Sequence, residues 1–426
     1  MKRMALNFIC KNEAHIITRM LNSTLPITDL IVAVDTGSTD NTIDIIETWG
    51  KKHAVPTFIF ERPFDNFGNS RNFALKKLIE TVDQLDWNKE ETWGFWIDCD
   101  EVMIFLPAFN KKDIAADLYF VTGLFEDMAF SKQIFFSLSK EFYWEGPVHE
   151  CLQSASISTK ISVAHCDTIT IAYDMKGASW KSDLVKKYLT YVEKLKEYIA
   201  QGHCTFRWLL YLADSYYAAA INCKDPVQRK VLHTQASESY ANAATLTSLE
   251  RHEQARLFSH MAENQMDLNE PWPSIKKNLL IAYKADKRFA EPIESIIEHY
   301  IQSGQWETAL IYSSFAIAQY HLRQPKGLGV ADVKPSLYQW RVLFFHYTIL
   351  MHLKQYYEAR QIFKLIKKQQ IDHPNYFSEK DAILIYINSP VTLLCRIKIE
   401  SIKRSLVKRV TSGSSISILN NLIPQI

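Results

Sequence analysis

The sequence predicts an α/β domain over residues 1–176 followed by an all-α domain over residues 177–426. Up to about residue 175, short apolar runs alternate with helical patterns, which is the order of a mostly parallel sheet. Beyond about residue 178, strand patterns nearly vanish and apolar residues recur at helical spacing with few glycines. The chain also exceeds the usual size of one domain, so two domains are expected, each with its own core.

Strands and helices alternate along the first half of the chain. The elements predicted there are a strand at residues 5–10, a helix at 13–25, a strand at 30–34, a helix at 39–52, a strand at 57–60, a helix at 70–81 and a strand at 93–97. A helix between two strands lets them run parallel, because the chain must cross back before the next strand begins. The carboxyl ends of these strands are therefore expected at one edge, where open α/β sheets bind ligands.

The second half has the pattern of paired helices. Small residues stand at close-packing positions within the aromatic segment Phe206 to Tyr217, which is typical of a solenoid. Trp272 and Trp306 are 34 residues apart, the period of tetratricopeptide repeats. The segment 304–309 recurs loosely at 354–359, an interval that requires an insertion, and residues 324–329 provide a loop for it. A degenerate tetratricopeptide-like solenoid is the resulting prediction.

Charge and cysteine content exclude several classes of protein. The formal net charge is +2, from 49 basic and 47 acidic residues, so nucleic acid is not expected as a partner. The seven cysteines include no C-x-x-C pair. This spacing favours reduced thiols in a cytoplasmic compartment over a disulfide framework or a structural zinc site.

No transmembrane segment is predicted. The chain has no run of eighteen apolar residues, and the apolar stretch 5–10 is too short for the core of a signal peptide. Between residues 393 and 409, apolar side chains alternate with lysine and arginine. Such a basic amphipathic helix can make peripheral contact with an anionic membrane, although the solvated face of a terminal packing helix is the commoner cause.

Asp98 and Asp100 are the most informative residues, because they directly follow the apolar run 93–97. Two carboxylates that leave a buried strand one residue apart can share a divalent cation and the diphosphate that this cation holds. Oxygen ligands favour Mg²⁺ or Mn²⁺ over softer metals. Cys99 between them is expected to point into the core, since side chains alternate along an extended chain.

Polar residues also follow the first two predicted strands. Asp35 ends the second strand, where its carboxylate can accept from a base N–H or a ribose hydroxyl, or can instead stabilise the turn that follows. Asn12 and Glu13 follow the first strand, so Glu13 enters the same crevice unless it serves only as a helix-start acid. Arg71 is predicted to open a helix, where a cation opposes the macrodipole, so an anionic partner such as a nucleotide diphosphate is expected.

A second group of ionisable residues lies in the segment Trp144 to Glu150. A partly buried Glu150 could take a proton from an acceptor hydroxyl, and His149 could do the same or orient the acid. A surface His-Glu pair is the alternative. His165 closes another apolar run and could supply a nitrogen ligand to the same metal, or be a core histidine with its hydrogen bonds satisfied.

Together these residues resemble the family 2 glycosyltransferases with a GT-A fold. The similarity is greatest to a bacterial and viral branch in which that domain precedes tetratricopeptide-like helices, and it extends over nearly the whole chain. Its motifs are Lys11-Asn12-Glu13-Ala14-His15, Val34 to Thr42, Ser70-Arg71-Asn72, Asp98-Cys99-Asp100-Glu101 and Trp144 to Glu150. The implied architecture is a Rossmann-like GT-A domain for a nucleotide sugar, followed by a tetratricopeptide-like domain.

The resemblance implies a role for each candidate residue. Donor-binding residues would be Asn12, Glu13, Asp35, Arg71 and Asp98, and metal ligands would be Asp98, Asp100 and His165. The Glu-Asp motif usual in family 2 has no clean counterpart in this chain. Glu150 is therefore the expected catalytic base, with His149 beside it and Asp127 as the next choice.

By the same resemblance, the expected activity is metal-dependent, inverting transfer of a hexose-type sugar from a nucleotide-sugar donor, with UDP preferred, to a protein, peptide or glycan. The helical half is expected to bind the acceptor or to form a homodimer. A binding scaffold with an inactive transferase domain is the rival, and the intact acidic pair argues against it. A nucleotidyltransferase would need a basic, glycine-rich phosphate loop, which the segment 11–13 does not provide.

Overall fold

A computed structural model of the chain describes residues 2–155, 160–173, 183–246, 249–325 and 332–368. These residues form two compact units. The first contains the described residues up to Glu250 together with Glu263–Glu270 and Asp332, and the second contains Arg251–Ala262, Pro271–Pro325 and the described residues from Val333 onward. The boundary predicted between residues 176 and 177 lies outside the described residues and stays a prediction, as does the basic segment 393–409.

The first unit is built on a mixed sheet. The described strands are β1 (Arg3–Cys10), β2 (Leu30–Asp35), β3 (Thr57–Glu61), β4 (Thr92–Trp96), β5 (Glu101–Phe105), β6 (Leu118–Phe125), β7 (Met128–Ser137), β8 (Phe142–Glu145), β9 (Cys151–Ser154) and β10 (Val163–Tyr173). Eight of them form one sheet in the order β3-β2-β1-β4-β7-β6-β10-β5, and β8 pairs with β9 in a separate hairpin. Strands β1 to β4 are parallel, whereas β7 is antiparallel to both β4 and β6.

Helices cover both faces of the parallel part of this sheet. They are α1 (Ile17–Thr24), α2 (Thr42–His53) and α3 (Phe67–Gln84). Alternate residues of β1 divide between the two faces: Leu6 and Phe8 pack in the core that contains α1 and α2, while Ala5 packs in the core that contains α3. All six residues of β2 are buried, as a strand covered on both sides requires.

The remaining helices confirm that an all-α region follows the sheet. The described ones are α4 (Leu184–Ala200), α5 (Phe206–Asn222), α6 (Pro226–Ala244), α7 (Arg251–Asp267), α8 (Trp272–Ala285), α9 (Glu291–Gln302), α10 (Trp306–Tyr320), α11 (Val342–His352) and α12 (Tyr356–Lys368). A π-helical turn at Leu337–Arg341 leads into α11. Within the described ranges, no helix is both long and apolar enough to span a bilayer.

One aromatic contact recurs in the second unit. Trp272, the first residue of α8, stacks on His299 near the end of α9, with ring centroids 3.5 Å apart. Trp306, the first residue of α10, stacks in the same way on His352 at the end of α11, at 3.8 Å. Each helix pair is thus closed by the same pair of rings, which agrees with the repeat predicted from the 34-residue interval between the tryptophans.

Candidate active site

Three predicted residues meet at the carboxyl edge of the sheet. Asp98 follows β4, and its Oδ1 lies 3.2 Å from Nη2 of Arg71. Nε of the same guanidinium lies 2.6 Å from Oε1 of Glu150. Arg71 therefore bridges two carboxylates that are distant in sequence. Helix α3 begins earlier than predicted, at Phe67, so Arg71 stands in its second turn. The anionic partners of Arg71 are therefore these two acids, and its position does not oppose the helix macrodipole as the sequence predicted.

Two indole rings enclose the Arg71 guanidinium. Its Cζ lies 4.6 Å from the ring centroid of Trp96 and 4.8 Å from that of Trp144. The Nε1 of Trp96 also donates to Asp98 Oδ1 at 2.9 Å. The side chain of Asn72 ties β8 to α3, since it donates to the carbonyl of Trp144 and accepts from its N–H. This clamp fixes the hairpin that carries Glu150 against the helix that carries Arg71.

Electrostatic partners keep Asp98 ionised. Burial opposes its charge, but Arg71 and Lys132 together lower the pKa of Asp98 to about 2. Lys132 also pairs with Glu101, which is fully buried. Asp100 behaves differently, because burial and then the negative charge of Asp98 raise its pKa. The site thus contains one carboxylate held as an anion and a neighbour whose charge is unfavourable.

The residues after β1 and β2 lie at the same edge, as predicted. The two strands are paired with Cys10 opposite Asp35. Asp35 Oδ2 accepts from the N–H groups of Gly37 and Ser38 at 3.0 and 2.9 Å, which supports the turn-stabilising alternative for this residue. Asn12 has a positive φ of 58° and accepts from the Thr39 N–H at 2.7 Å. Contacts of Asn12 and Asp35 with a donor nucleotide remain predictions.

Glu13 begins the turn that leads into α1, but it lies before the first turn of that helix, which contains no acidic residue. Its carbonyl accepts from the N–H groups of Ile16 and Ile17, and its own N–H donates to Thr42 Oγ1. Its negative charge also contributes, after burial and Asp98, to the raised pKa of Asp100. Glu13 therefore belongs to the electrostatic surroundings of the acidic pair. Cys99 is buried in the core, as predicted.

A cavity of about 500 Å³ adjoins Arg71, Asp98 and Glu150. Its walls come from α3, from strands β4, β6, β7 and β10, from the β8–β9 hairpin and from helices α4 and α5 of the same unit. Aromatic residues form much of the lining: Phe67, Trp96, Phe120, Phe130, Trp144, Tyr173, Tyr191 and Tyr211. His149 also lines it, in the left-handed backbone region with φ 52°.

Helix α5 holds the turn that contains His149 and Glu150. Arg207 donates from Nη2 to the carbonyl of His149 at 2.8 Å, and the His149 ring stacks on Tyr211 at 4.4 Å. Val148 packs with Trp208 in one buried cluster. Sequence reasoning assigned no site role to Lys132, Arg207 or Tyr211. The signal for the last two was the dense aromatic segment that opens α5.

Two sequence predictions are wrong in position. His165 stands near the start of β10, opposite Phe120, with Nδ1 2.9 Å from Asp167. The other end of that strand, at Tyr173, is the part that reaches Glu101. The alternation of apolar residues identified the strand but could not tell which of its ends faces the acids, so His165 is not a ligand beside Asp98.

Asp127 is also misplaced as a catalytic candidate. It lies in the two-residue turn between β6 and β7, where Phe125 pairs with Met128. The cavity wall begins at Phe130 on that strand, so Asp127 stands beyond the lining residues. The negative charge and the neighbouring aromatic residue made it plausible from sequence, whereas the hairpin carries it past the site.

The donor set of the acidic pair fits a hard divalent cation with few protein ligands. Within the described residues, no group of three or more His, Cys, Asp or Glu side chains is arranged to hold a metal. Asp98 and Asp100 are nevertheless close enough to interact, because burial and then the charge of Asp98 raise the pKa of Asp100, and a cation beside them would favour the ionised form. Mg²⁺ characteristically binds through one or two carboxylates, with water and substrate phosphates as its other ligands.

Comparison with known proteins gives local similarity. No family model matches the chain. Over 101 residues it is 35% identical to a protein of Rickettsia typhi named an uncharacterized glycosyltransferase, covering 24% of this chain and 29% of that protein. A Rickettsia bellii protein of the same name is 35% identical over 86 residues, covering 20% of this chain and 26% of its own. The chain thus matches less than a third of the length of these relatives.

Solved structures overlap it only loosely. MamA covers 49% of this chain at 13% identity, with 98% of its own chain and a TM-score of 0.32. S. aureus TarS covers 67% of this chain at 15% identity, with 53% of its own chain and a TM-score of 0.30. Scores this low carry no argument, so the fold rests on the strand order and helices described above. Part of the chain is similar to proteins named glycosyltransferases, and its architecture is an α/β sheet domain followed by helices.

Proposed function

We propose that the protein is a glycosyltransferase that moves a sugar from a nucleotide-sugar donor to an acceptor hydroxyl. The observation that carries this proposal is the single guanidinium of Arg71, which joins Asp98 at the nucleotide edge to Glu150 at the cavity. The local identity to proteins named glycosyltransferases supports it. The resemblance in the motifs extends this proposal. We propose UDP as the nucleotide, a hexose as the sugar, family 2 membership and a cytoplasmic location.

The donor would lie along the carboxyl ends of β1, β2 and β4. Asn12 and Asp35 shape the turns that border this crevice, and Arg71 would supply positive charge next to the diphosphate. Asp98 and Asp100 would hold Mn²⁺ or Mg²⁺, which neutralises the charge of a leaving diphosphate when it is bound. The charge of Glu13 contributes to the raised pKa of Asp100.

The transfer would be one displacement with inversion. The acceptor oxygen forms a bond to the anomeric carbon while the bond from that carbon to the diphosphate breaks, and its electron pair leaves with the diphosphate. Glu150 accepts the acceptor proton. Arg71 occupies Oε1 of this carboxylate, so Oε2 is the oxygen proposed to take the proton. His149 orients the turn through its stacking on Tyr211.

The test is a donor assay with purified protein and Mn²⁺. Each of a panel of UDP-, GDP- and dTDP-sugars is added, and the free nucleoside diphosphate is measured. Release from at least one donor is expected. Arg71→Lys should lower kcat/KM about 100-fold or more, which corresponds to about 2.7 kcal/mol, because an ammonium cannot bridge both acids and stack between two indoles.

Arg3→Lys is the matched control, since Arg3 also lies over an indole ring, that of Trp87, at the opposite end of β1. It should leave kcat/KM unchanged. No turnover and no nucleotide binding across the panel would favour the scaffold, whereas release of pyrophosphate from a sugar phosphate and a nucleoside triphosphate would favour a nucleotidyltransferase.

A further inference from the structure

The cavity beside Glu150 and the proposed nucleotide crevice lie over different strands of the sheet, on either side of β4. In the strand order β3-β2-β1-β4-β7-β6-β10-β5, the crevice is bordered by β2, β1 and β4. The cavity walls come from β4 and from the strands on its other side, with α4 and α5 closing the space. A donor and a second ligand can therefore approach Asp98 and Glu150 from opposite sides.

Three cationic side chains line this cavity, and they differ in their partners. Arg71 pairs with Asp98 and Glu150, and Lys132 pairs with Glu101 and lies 3.8 Å from Asp98. Arg207 forms no ion pair with a carboxylate of the described residues; its Nη2 donates to a backbone carbonyl, and its Nε has no hydrogen-bond partner. Arg207 thus brings a positive charge with unused donors to the cavity wall.

Other groups on the wall also have unused hydrogen-bonding capacity. Trp144 is 5% exposed, and its Nε1 is buried without a partner. The Oγ of Ser131 on β7 is likewise buried without a partner. A ligand rich in oxygen acceptors can satisfy such donors after a small side-chain adjustment, and the aromatic walls offer flat apolar faces for a ring. The volume of about 500 Å³ suits a small cyclic ligand.

We propose that this cavity is the acceptor site and that the acceptor is a sugar ring bearing an anionic substituent, a carboxylate or a phosphate, bound by Arg207. The role of this sugar as acceptor rests on the proposed function, whereas binding of an anionic sugar in the cavity does not depend on it. In the transfer, the acceptor loses one hydroxyl proton to Glu150 and gains the glycosidic bond, and its anionic group stays unchanged. Charge-assisted hydrogen bonds to a guanidinium give the preference for the anion.

The experiment compares matched acceptors with wild-type full-length protein. They are p-nitrophenyl β-D-glucoside, its 6-phosphate and p-nitrophenyl β-D-glucuronide, each assayed with the donor identified above. The ratio of kcat/KM for an anionic acceptor to that for the neutral glucoside is expected to be about tenfold or more. Arg207→Gln should bring this ratio to about one, and Arg207→Lys should retain part of it.

Arg229→Gln is the matched control, because Arg229 on α6 also donates to a backbone carbonyl, that of Cys223 at 2.8 Å, but does not line the cavity. Its acceptor ratio should equal that of wild type. A wild-type ratio near one, or a ratio unaffected by Arg207→Gln, would overturn the inference. Arg207→Gln could instead lose a preference for UDP-glucuronate over UDP-glucose as donor and keep its acceptor preference. That result would place the anion on the donor and would also overturn the inference.

A direct binding measurement separates this inference from the proposed function. Tryptophan fluorescence is titrated with methyl β-D-glucuronide and with methyl β-D-glucoside, without any donor, and Trp96 and Trp144 in the wall serve as probes. Tighter binding of the glucuronide that depends on Arg207, in a protein that releases no nucleotide from any donor, would refute the transferase and retain the anionic-sugar site. Equal binding of the two glycosides would refute the site, whatever the donor assay shows.

Discussion

Asp100 stands where its charge is unfavourable, because burial and the neighbouring Asp98 both raise its pKa. Asp100→Asn removes that repulsion and should increase the free energy of unfolding in metal-free buffer by about 1 kcal/mol. The same change should weaken Mn²⁺ binding on the order of tenfold, since the proposed metal site loses one of its two anionic ligands. Chemical denaturation and calorimetric titration with Mn²⁺ measure the two effects.

Asp167→Asn is the control for this prediction, because that side chain is 70% exposed and pairs only with His165 in the described structure. It should change neither quantity. Unaltered Mn²⁺ affinity in Asp100→Asn would remove Asp100 from the metal site, and a loss of stability would show that its carboxylate supports the fold.

For single residues, the sequence predicts which side chains lie at the candidate site better than it predicts the contacts between them. Asp98, Arg71 and Glu150 were each recognised from their position after a strand or within a motif. The bridge that Arg71 makes between the two acids was not, because residues so distant in sequence meet only through the packing of the β8–β9 hairpin on α3. The prediction for His165 is wrong because periodicity identifies a strand without showing how that strand is oriented in the sheet.

At the scale of elements, the turn from β8 to β9 depends on a close approach to α5. Gly146 has φ 103°, and a Cβ there would overlap the indole of Trp208. Gly146→Ala should therefore lower the free energy of unfolding by about 2 to 4 kcal/mol, from backbone strain and overpacking together. It should also lower kcat/KM, because Glu150 lies four residues further along the same turn.

Gly202→Ala separates these two contributions. Gly202 has nearly the same φ, 99°, but a Cβ there would meet nothing within 4 Å. Its cost should be limited to backbone strain, about 1 kcal/mol, with activity unchanged. Equal destabilisation by both substitutions, measured by urea unfolding, would show that the Trp208 contact contributes nothing.

Helix α9 contains a partly buried acid, Glu291, whose titration should affect stability. Burial raises the pKa of Glu291 from 4.5 to about 7, while the Lys334 N–H and the Tyr338 hydroxyl donate to its two oxygens at 2.8 and 2.9 Å. The folded state therefore binds a proton more tightly than the unfolded state. Its contribution to stability is complete below pH 4.5 and is lost as pH rises towards 7, by about 3 kcal/mol.

Glu291→Gln should abolish this dependence, because the amide is neutral. Its oxygen can accept from the Lys334 N–H, and its NH2 group can donate to the Tyr338 oxygen while that hydroxyl donates to the Arg288 carbonyl. The variant should be more stable than wild type at pH 8 and nearly equal to it at pH 4.5. Glu307→Gln, an exposed acid in the first turn of α10, is the control and should follow wild type at both values. Urea unfolding at the two pH values measures the difference, and parallel curves for Glu291→Gln and wild type would contradict the argument.

Helices and strands are predictable from sequence where the apolar periodicity is strong. The order of strands in the sheet is less predictable, because it depends on which strands pair. The parallel strands β1 to β4 and their helices follow from alternating apolar runs, with ends shifted by a few residues. Helix α1, for example, begins at Ile17 because the preceding residues form a turn on the carbonyl of Glu13. The antiparallel pairing of β7 with β4 depends on contacts between residues about 40 positions apart, and no local pattern in the sequence specifies it.

At the scale of the whole molecule, α4 and α5 belong with the sheet, although their sequence pattern is that of the helical half. They lie in the first compact unit, where Leu195 and Trp208 bury Val148 in the turn that contains Glu150. Helical periodicity predicts the existence of a buried face but not its partner, so the sequence placed these helices in the second domain. The first compact unit therefore includes helices that the sequence analysis assigns to the second domain.

Two truncated proteins test the role of these helices. A fragment of residues 1–176 lacks the helices that cover Val148, so it should lose cooperative thermal unfolding and bind UDP with Mn²⁺ at least tenfold more weakly than the full chain. A fragment of residues 1–270 keeps α4 to α6 and the buried hydrogen bond, 2.7 Å long, between His233 and Asn264. It should unfold cooperatively and bind UDP with near full-length affinity in calorimetry. Equal UDP affinity and cooperative melting of the shorter fragment would show that the sheet alone completes the site and that the helices only adjoin it.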